Sequence, residues 1–278
     1  MKGEPHETVT LDDGATLATW TRRGRAGAPH VVLLHGGPGL WDYLEPLAEL
    51  IGDEATVHRY DQRGCGQSSA VAEQSMARSV ADLEQLRTHW GLASWVVIGH
   101  SFGAGLALAH AAAHPDRVAV VGHLAGVGIG DWGTPFAAER RRRAAPFQNR
   151  LDELSGRDRT AAEEVEWRRL TWATDYTELT VGLAAAQGMA ESANLINYEA
   201  NRALRLVDAD LIAWAAATSC PVYYVHGTAD PRPAANAMLL ADRTPIARKR
   251  VVTDAGHVPW VEQPEQVREL LIEIVQAG

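Results

Sequence analysis

The feature that most constrains this chain is a five-residue turn, Gly99-His100-Ser101-Phe102-Gly103. It follows an apolar run over residues 95–98 and precedes a small-residue segment over 104–109, which predicts a strand, a sharp turn and a helix. Glycines flank the serine because a Cβ at either position would strike the neighbouring strand or helix. The pattern in this context is typical of a nucleophile elbow, which holds the Oγ of Ser101 above the sheet.

Strands and helices alternate along most of the chain. Strands are predicted at Glu7–Leu11, Thr16–Arg22, Val31–Leu34, Thr56–Tyr60, Trp95–Ile98, Val118–Leu124, Pro221–Val225 and Lys249–Thr253. Helices are predicted at Trp41–Ile51, Met76–Trp90, Phe102–His114 and about Pro264–Gln276. The turn Asp12-Asp13-Gly14 predicts a hairpin between the first two strands. The alternation predicts an α/β fold with a mostly parallel, twisted sheet and helices on both faces.

The alternation stops in the middle of the chain. Residues 127–218 carry helical patterns, several tryptophans and no convincing strand, whereas strand patterns return afterwards. We therefore expect one core domain built from residues 1–126 and 219–278, with 127–218 inserted as a helical cap. An insertion that leaves the carboxyl ends of parallel strands lies over the crevice where such sheets bind ligands.

A serine hydroxyl needs a neighbouring base, and in this fold the order along the chain is serine, acid, histidine. His257 follows the last predicted strand, so we expect it at the same sheet edge as Ser101. Asp230 follows the preceding strand and is the expected orienting acid. Asp254 is the alternative, but it closes the same strand as His257 and is expected to point elsewhere.

Acyl transfer also requires hydrogen-bond donors for the oxyanion. The N–H of Phe102, at the start of the elbow helix, is one candidate. The other lies in the glycine-rich loop after the third predicted strand, where we expect Gly37 to donate, with Gly36 as the alternative. His35 and His100 are expected to position these loops rather than transfer protons.

Three other patterns have simpler interpretations. Residues 61–68 predict an internal turn held by Asp61 and Arg63. The four arginines at 140–143 are expected on a solvated helix face, since acidic residues surround them. His110 and His114 have the helical spacing of a metal pair, but no carboxylate ligand is identified beside them, so no metal is predicted.

Composition limits the classes of partner. The formal charge of −9 disfavours nucleic acid and anionic lipid as partners. No signal-peptide pattern and no apolar run of about 18 residues is present. Cys65 and Cys220 lie far apart and suggest no disulfide framework. We expect a cytoplasmic protein that uses no cofactor and takes a small-molecule substrate; the pattern predicts no oligomeric state.

The motifs together resemble the α/β-hydrolase superfamily, and within it the proline iminopeptidase-like branch of serine peptidases. The resemblance is carried by residues 35–39, by residues 61–68, and by Ser101, Asp230 and His257 in that order. It covers about two thirds of the chain, on both sides of the insertion. It implies a fold of the α/β-hydrolase type and cofactor-independent catalysis by the three side chains.

The chain departs from the iminopeptidase pattern at the elbow, where that branch typically has Gly-Gly-Ser-Trp-Gly. The branch binds the amino terminus of its substrate with cap glutamates, a role for which Glu199 and Glu166 are candidates here. Trp167, with Gly36, is a further candidate for substrate binding. The serine at position 101 disfavours relatives with an aspartate nucleophile, such as epoxide hydrolases and haloalkane dehalogenases.

Three hypotheses follow. The first is a serine hydrolase that cleaves a small ester, lactone or amide through an acyl-enzyme on Ser101. The second is removal of an N-terminal proline from short peptides. The third is a receptor, lyase or cyclase that keeps the pocket without hydrolytic turnover.

Overall fold

A computed structural model describes residues 4–70 and 73–278. Its centre is one eight-stranded sheet in the order β1-β2-β4-β3-β5-β6-β7-β8. The strands are β1 Glu7–Thr10, β2 Thr16–Arg22, β3 His30–Leu34, β4 Thr56–Tyr60, β5 Trp95–His100, β6 Val118–Leu124, β7 Val222–Gly227 and β8 Ala247–Val252. β2 pairs antiparallel with both β1 and β4, and the neighbouring strands in the order β4-β3-β5-β6-β7-β8 pair parallel. The predicted α/β fold class is confirmed.

Helices cover the sheet and the segment between β6 and β7. They are α1 Glu45–Ile51, α2 Met76–His89, α3 Phe102–Ala113, α4 Gly133–Ala144, α5 Gln148–Ser155, α6 Ala161–Ala173, α7 Leu179–Ala190, α8 Tyr198–Ala203, α9 Asp208–Ala217, α10 Ala234–Ala241, α11 Pro259–Glu262 and α12 Pro264–Gln276. Short 3₁₀ turns occur at Gly52–Glu54 and Ala145–Phe147. Within the described ranges, no helix is both long and apolar enough to cross a bilayer.

The sheet has an apolar core on each face because side chains alternate along every strand. In β3, Val32 and Leu34 pack with α2, α3 and α9 on one face. Val31 and Leu33, one residue out of step, pack with α1 and α12 on the other. Strands buried on both faces read as continuous apolar runs, which is why β3 and β5 were detectable from sequence.

Most predicted bounds agree with the structure to within two residues. The main exception at the start of the chain is α1, which begins at Glu45 rather than Trp41. Pro46 supplies the preset φ of a first helical turn, so the helix begins there. The sequence analysis missed α10 and the short α11, which carry no long amphipathic repeat.

Residues 133–217 form helices, as expected, but these helices pack in two places. α6 and α7 pack against each other so closely that a Cβ on Gly182 would lie 2.4 Å from the carbonyl oxygen of Ala173. α9 instead packs against α3, and its Leu211 and Ala215 belong to the apolar core of the sheet. The division of the chain at residues 127 and 218 remains a prediction.

The turn after β4 is internal, but the predicted Asp61–Arg63 network is wrong. The Asp61 carboxylate accepts the backbone N–H groups of Asp42 and Gln67 at 2.7 and 2.8 Å. The Arg63 guanidinium binds Asp82 in a fork, at 2.8 and 2.7 Å. Two networks hold the turn because Asp61 and Arg63 each bind a residue distant along the chain, Asp42 and Asp82, which local sequence does not reveal.

Candidate active site

The elbow has the strained backbone that its sequence predicted. Ser101 lies between β5 and α3 with φ 57° and ψ −119°, a region that side chains rarely occupy. A Cβ on Gly99 would approach the Gly103 carbonyl oxygen to 2.0 Å, and a Cβ on Gly103 would approach the Leu34 carbonyl oxygen to 2.2 Å. Glycine is therefore required at both flanking positions for the strand, turn and helix to pack this tightly.

The loops after β7 and β8 bring an acid and a histidine together. The Nδ1 of His257 lies 2.8 Å from Oδ2 of Asp230. Since the carboxylate accepts from Nδ1–H, the Nε2 of a neutral His257 carries the lone pair that a general base needs. Asp254 does not compete: its side chain is exposed, and its backbone N–H donates to Oγ1 of Thr228.

The carboxylate of Asp230 is held in its charged form. Burial opposes ionisation, but the charge and hydrogen bond of His257, together with His226 and Arg232, outweigh it and keep the pKa below its ordinary value. The backbone N–H of Arg232 also donates to Oδ1 of Asp230 at 2.8 Å. A buried acid with partners on both oxygens orients the histidine without being free to rotate.

The loop after β3 offers one candidate oxyanion donor and not two. The N–H of Gly36 already donates to the hydroxyl of Tyr43 at 2.9 Å, which disfavours the alternative from the sequence. A Cβ on Gly36 would lie 2.5 Å from that hydroxyl and 2.9 Å from the Cβ of Ser101, so this residue packs against the elbow. Gly37 lines the cavity beside Ser101 with φ +130°, a conformation that glycine permits.

His100 links this loop to the base. Its Nε2 lies 2.8 Å from the carbonyl oxygen of His257, which can only accept, so Nε2 carries the proton. Burial, and then the charge of His257, lower the pKa of His100 well below its ordinary value, so the ring is neutral. Nδ1 therefore accepts from the hydroxyl of Tyr43 at 2.6 Å. The position agrees with the positioning role predicted for this histidine.

Ser101 and His257 face one cavity of about 320 Å³ between the elbow and the helices above it. Its walls are mostly apolar, with few charged groups. They are formed by Gly37, Leu40, Tyr43, Pro46, His100, Ser101, Phe136, Arg140, Thr171, Trp172, Asp175, Tyr176, Ala185, Ala186, Met189, Arg232, His257, Val258, Trp260 and Val261. The cavity has the size and composition of a small-molecule site.

Sequence analysis missed an ion pair at the cavity wall. Arg232 Nη1 lies 2.8 Å from Oδ1 of Asp175, and the backbone carbonyl of Asp175 accepts the N–H of His257 at 2.7 Å. Burial opposes the charge of Arg232, but Asp175 and Asp230 outweigh it and raise its pKa. The position of Arg232, two residues after Asp230, was the available signal. Asp175 had none.

The expectation of a solvated arginine run is wrong for half of its members. Arg141 and Arg142 are exposed, whereas Arg140 lines the cavity. Arg143 donates to the carbonyl oxygens of Tyr176 and Ala229, the second of which belongs to the loop of the orienting acid. On a helix, consecutive residues point in different directions, so a run of four must present some members to the protein.

The predicted substrate-binding residues of the cap lie away from the cavity walls. The indole N–H of Trp167 donates to Oγ of Ser155, and Arg159 lies 4.3 Å over its ring. Glu166 binds Arg150 through both oxygens, and Glu199 is exposed. These assignments are corrected: cap packing turns Trp167 and both glutamates toward partners outside the site or toward solvent.

The segment around Glu199 has a different contact with the site. The side-chain amide of Asn201 donates to the carbonyl oxygen of Pro38 at 3.0 Å. The backbone N–H of Asn197 donates to the carbonyl oxygen of Gly39 at 2.8 Å. A Cβ on Gly39 would lie 2.2 Å from the carbonyl oxygen of Asn197. α8 and its N-cap therefore hold the loop that carries Gly37.

Across residues 4–70 and 73–278, no group of three or more histidine, cysteine, aspartate or glutamate side chains is placed to hold a metal ion. His110 and His114 have ring centroids 5.1 Å apart on α3. Burial lowers the pKa of His110 to about 3, and its Nε2 lies 3.3 Å from the indole nitrogen of Trp95. Packing against Trp95 accounts for this histidine.

Comparison with known proteins gives a consistent family. A family model described as alpha/beta hydrolase fold matches residues 29–264. A proline iminopeptidase of Neisseria gonorrhoeae is 39% identical over 102 residues, which cover 36% of this chain and 33% of that relative. The alignment thus spans only a third of the curated relative's length.

Solved structures resemble the whole chain more loosely. A meta-cleavage product hydrolase from Pseudomonas fluorescens IP01 superposes with a TM-score of 0.76 at 17% identity, covering 98% of each chain. A proline iminopeptidase of Mycobacterium smegmatis gives 0.73 at 18%, covering 97% of each chain. At these identities the superpositions support the fold alone.

Proposed function

Because the chain belongs to the alpha/beta hydrolase family, we propose that it is a serine hydrolase of small esters, lactones or amides. The observation that carries this proposal is the 2.8 Å hydrogen bond between His257 and Asp230 at the cavity that Ser101 lines. A histidine held by a buried acid and lining the same cavity as a serine supports a mechanism in which that serine becomes the nucleophile.

In the first step, Oγ of Ser101 attacks the substrate carbonyl while Nε2 of His257 takes its proton. Asp230 stabilises the resulting imidazolium through the Nδ1–H hydrogen bond. The negative charge that develops on the carbonyl oxygen is met by the N–H groups of Phe102 and Gly37. Each such donor lowers the barrier by about 2.7–4 kcal/mol in other hydrolases.

In the second step, the tetrahedral intermediate collapses and the leaving group takes the proton from His257. The acyl group stays on Ser101 until a water molecule, deprotonated by His257, attacks the same carbonyl. The proton returns to Ser101 and the product acid leaves. Every proton in this sequence moves through one imidazole, which is why its orientation by Asp230 matters.

A second candidate is removal of an N-terminal proline, favoured by curated relatives with that name. This activity needs a carboxylate for the substrate's amino terminus. Among the cavity-lining residues, Asp175 is the carboxylate available, and it is engaged by Arg232 at 2.8 Å. An amine would have to share Asp175 with that guanidinium.

A substrate panel tests both candidates. Purified protein and its Ser101→Ala variant are assayed with p-nitrophenyl esters, a γ-lactone and prolyl-p-nitroanilide. Ester or lactone turnover that Ser101→Ala lowers by at least about 10⁴-fold supports the main proposal. Preferential turnover of the prolyl anilide supports the second candidate. Saturable binding of these compounds without any turnover would instead favour a receptor or a non-hydrolytic enzyme.

A further inference from the structure

One arginine of the 140–143 run stands apart from the others. Arg142 and Arg143 both bind the carboxylate of Glu139, each at 2.7 Å. Arg141 is exposed to solvent. Arg140 instead lines the cavity wall, and its guanidinium carbon is 5.6 Å from the ring centre of Phe136.

The charged groups at the cavity are not all in ion pairs. The cavity walls hold two arginines, Arg140 and Arg232, against one aspartate, Asp175. Arg232 is 2.8 Å from Asp175 and 3.7 Å from Asp230, so it already neutralises the carboxylates at this end of the site. Within residues 4–70 and 73–278, no carboxylate lies within ion-pair distance of the Arg140 guanidinium. Arg140 is therefore a cationic group of the cavity wall with no carboxylate in ion-pair contact among the described residues, and Asp175 acts on it only at longer range.

A half-buried guanidinium without an anion is costly, because water solvates it poorly there. Burial lowers the pKa of Arg140, although the group stays charged at neutral pH. A carboxylate would meet the planar fork of the guanidinium with two hydrogen bonds and match its single charge. A doubly charged phosphate ester would need a second free cation, and a substrate amine would be repelled.

We propose that Arg140 binds a carboxylate of the substrate, so that the substrates are small esters or lactones that carry a second, ionised carboxyl group. This inference rests on the proposed function, because it concerns the same cavity and the same reaction on Ser101. It also predicts discrimination against substrates that would place a protonated amine beside Arg140, since two positive charges repel each other.

The test compares esters that differ in charge but little in shape. One pair places the charge on the acyl side: p-nitrophenyl hemiglutarate and p-nitrophenyl 5-methylhexanoate. The other places it on the leaving group: 4-carboxyphenyl butyrate and 4-acetylphenyl butyrate. The measured quantity is the ratio of kcat/KM for the anionic ester to that for the neutral ester, in native protein, Arg140→Gln, Arg140→Lys and Arg141→Gln.

We expect Arg140→Gln to lower this ratio by about 10- to 100-fold in at least one pair, the size of a hydrogen bond to a charged group. Arg140→Lys should restore part of the loss, since it keeps the charge without the fork. Arg141→Gln removes the same charge from the exposed side of α4. It should leave both ratios within about two-fold, because exposed charges are screened.

Two kinds of failure remain distinguishable. If native protein hydrolyses these esters through Ser101 but Arg140→Gln changes neither ratio, the carboxylate proposal is overturned and the proposed function stands. Equal losses in Arg140→Gln and Arg141→Gln would also overturn it, as an effect of net charge. If the native protein hydrolyses none of these esters, the proposed function is contradicted, and the carboxylate proposal, which rests on it, is contradicted with it. Thermal unfolding of each variant confirms that the ratio is measured on folded protein.

Discussion

The carboxyl edge of the sheet and the helices above it are held by different forces. At the edge, the backbone packs so closely that only glycine fits on either side of Ser101. A Cβ on Gly99 or Gly103 would lie about 2 Å from a neighbouring carbonyl oxygen. In the helices above the edge, side-chain ion pairs join α6 to α5 and to the turn after α5, such as Arg150–Glu166 and Arg157–Glu163. Exposed pairs of this kind contribute little to stability, because water and salt screen them. We therefore expect the elbow that carries Ser101 to be held more rigidly than the helices whose side chains line the cavity.

Burial shows the same contrast. α3, behind the elbow, buries ten of its residues. α4 buries only Ala144, and α6 buries only Arg168 and Ala173. Segments with few buried apolar contacts open at lower free energy than the core. We expect the cap to show faster amide exchange than the sheet.

The largest expected effect breaks the fixed side of this contrast. Asp230→Asn should lower kcat by about 10⁴-fold, because an amide cannot hold the same tautomer of His257 or stabilise its charged form. The measurement is steady-state turnover of the best ester. Asp254→Asn is the matched control, since Asp254 is exposed, and it should change kcat by less than about two-fold. Similar losses in both variants would contradict the assignment of the acid.

A glycine pair compares the two regions directly. Gly99→Ala should lower the free energy of unfolding by more than about 3 kcal/mol, since its Cβ would lie 2.0 Å from a backbone carbonyl. Gly188→Ala in α7 meets no atom within 4 Å and should raise stability by about 0.5–1 kcal/mol through helix propensity. Urea unfolding measures both. A tolerated Gly99→Ala would show that the elbow is not tightly packed.

Acid should weaken the core before it weakens the cap ion pairs. Burial, then His30, lower the pKa of His58 to about 4, so the unfolded chain binds a proton that the folded one refuses. The contribution of His58 to stability is complete above about pH 6.5 and falls toward pH 4, with a loss of about 2 kcal/mol at pH 5. The hydrogen bond from Arg142, and then that from Arg143, outweigh the opposing effect of burial and lower the pKa of Glu139 to about 2. The ion pairs of Glu139 with these arginines should therefore persist at pH 5.

Urea unfolding between pH 7.5 and 5 checks the histidine effect. In His58→Gln the side chain cannot titrate, so the free energy of unfolding should fall by about 2 kcal/mol less between pH 7.5 and pH 5 than in the native protein. Glu139→Gln should leave the slope over this range unchanged. An unchanged slope in His58→Gln would mean that this histidine is protonated in the folded protein.

The smallest effect concerns the contact between the regions. Asn201→Ala removes the hydrogen bond to Pro38 and should lower kcat/KM by about 3- to 10-fold, the worth of one hydrogen bond. The loss should lie mainly in kcat, because the loop carries the oxyanion donor. Asn149→Ala, at an exposed position of α5, is the control. A loss confined to KM would mean that the contact shapes the pocket and leaves the oxyanion loop in place.

The sequence was informative where function follows from the ends of strands. Ser101 directly follows β5, and Asp230 and His257 lie in the loops after β7 and β8, so their positions along the chain placed them at one edge. The sequence offered no physical reason for the preference of Gly37 over Gly36; the structure supplies one, because the N–H of Gly36 donates to the hydroxyl of Tyr43.

In the cap, the direction of each side chain depends on which helix packs against it. The helices with buried faces, α6 and α7, have weak periodicity, so neighbouring side chains cannot be assigned to a face from the pattern. This is why Trp167, which lies outside the cavity lining, was a candidate for substrate binding, and why Arg140 was assigned to solvent. The substrate-facing walls therefore had to be read from the structure.

Covalent labelling of the folded protein by a fluorophosphonate tests the central assignment most directly. We expect a single adduct, mapped by mass spectrometry to the peptide that carries Ser101 and absent from Ser101→Ala. The rate of labelling should fall by orders of magnitude in His257→Asn, since no base then takes the serine proton. A native protein that acquires no adduct, or acquires it at another residue, would contradict the assignment of Ser101 as the nucleophile.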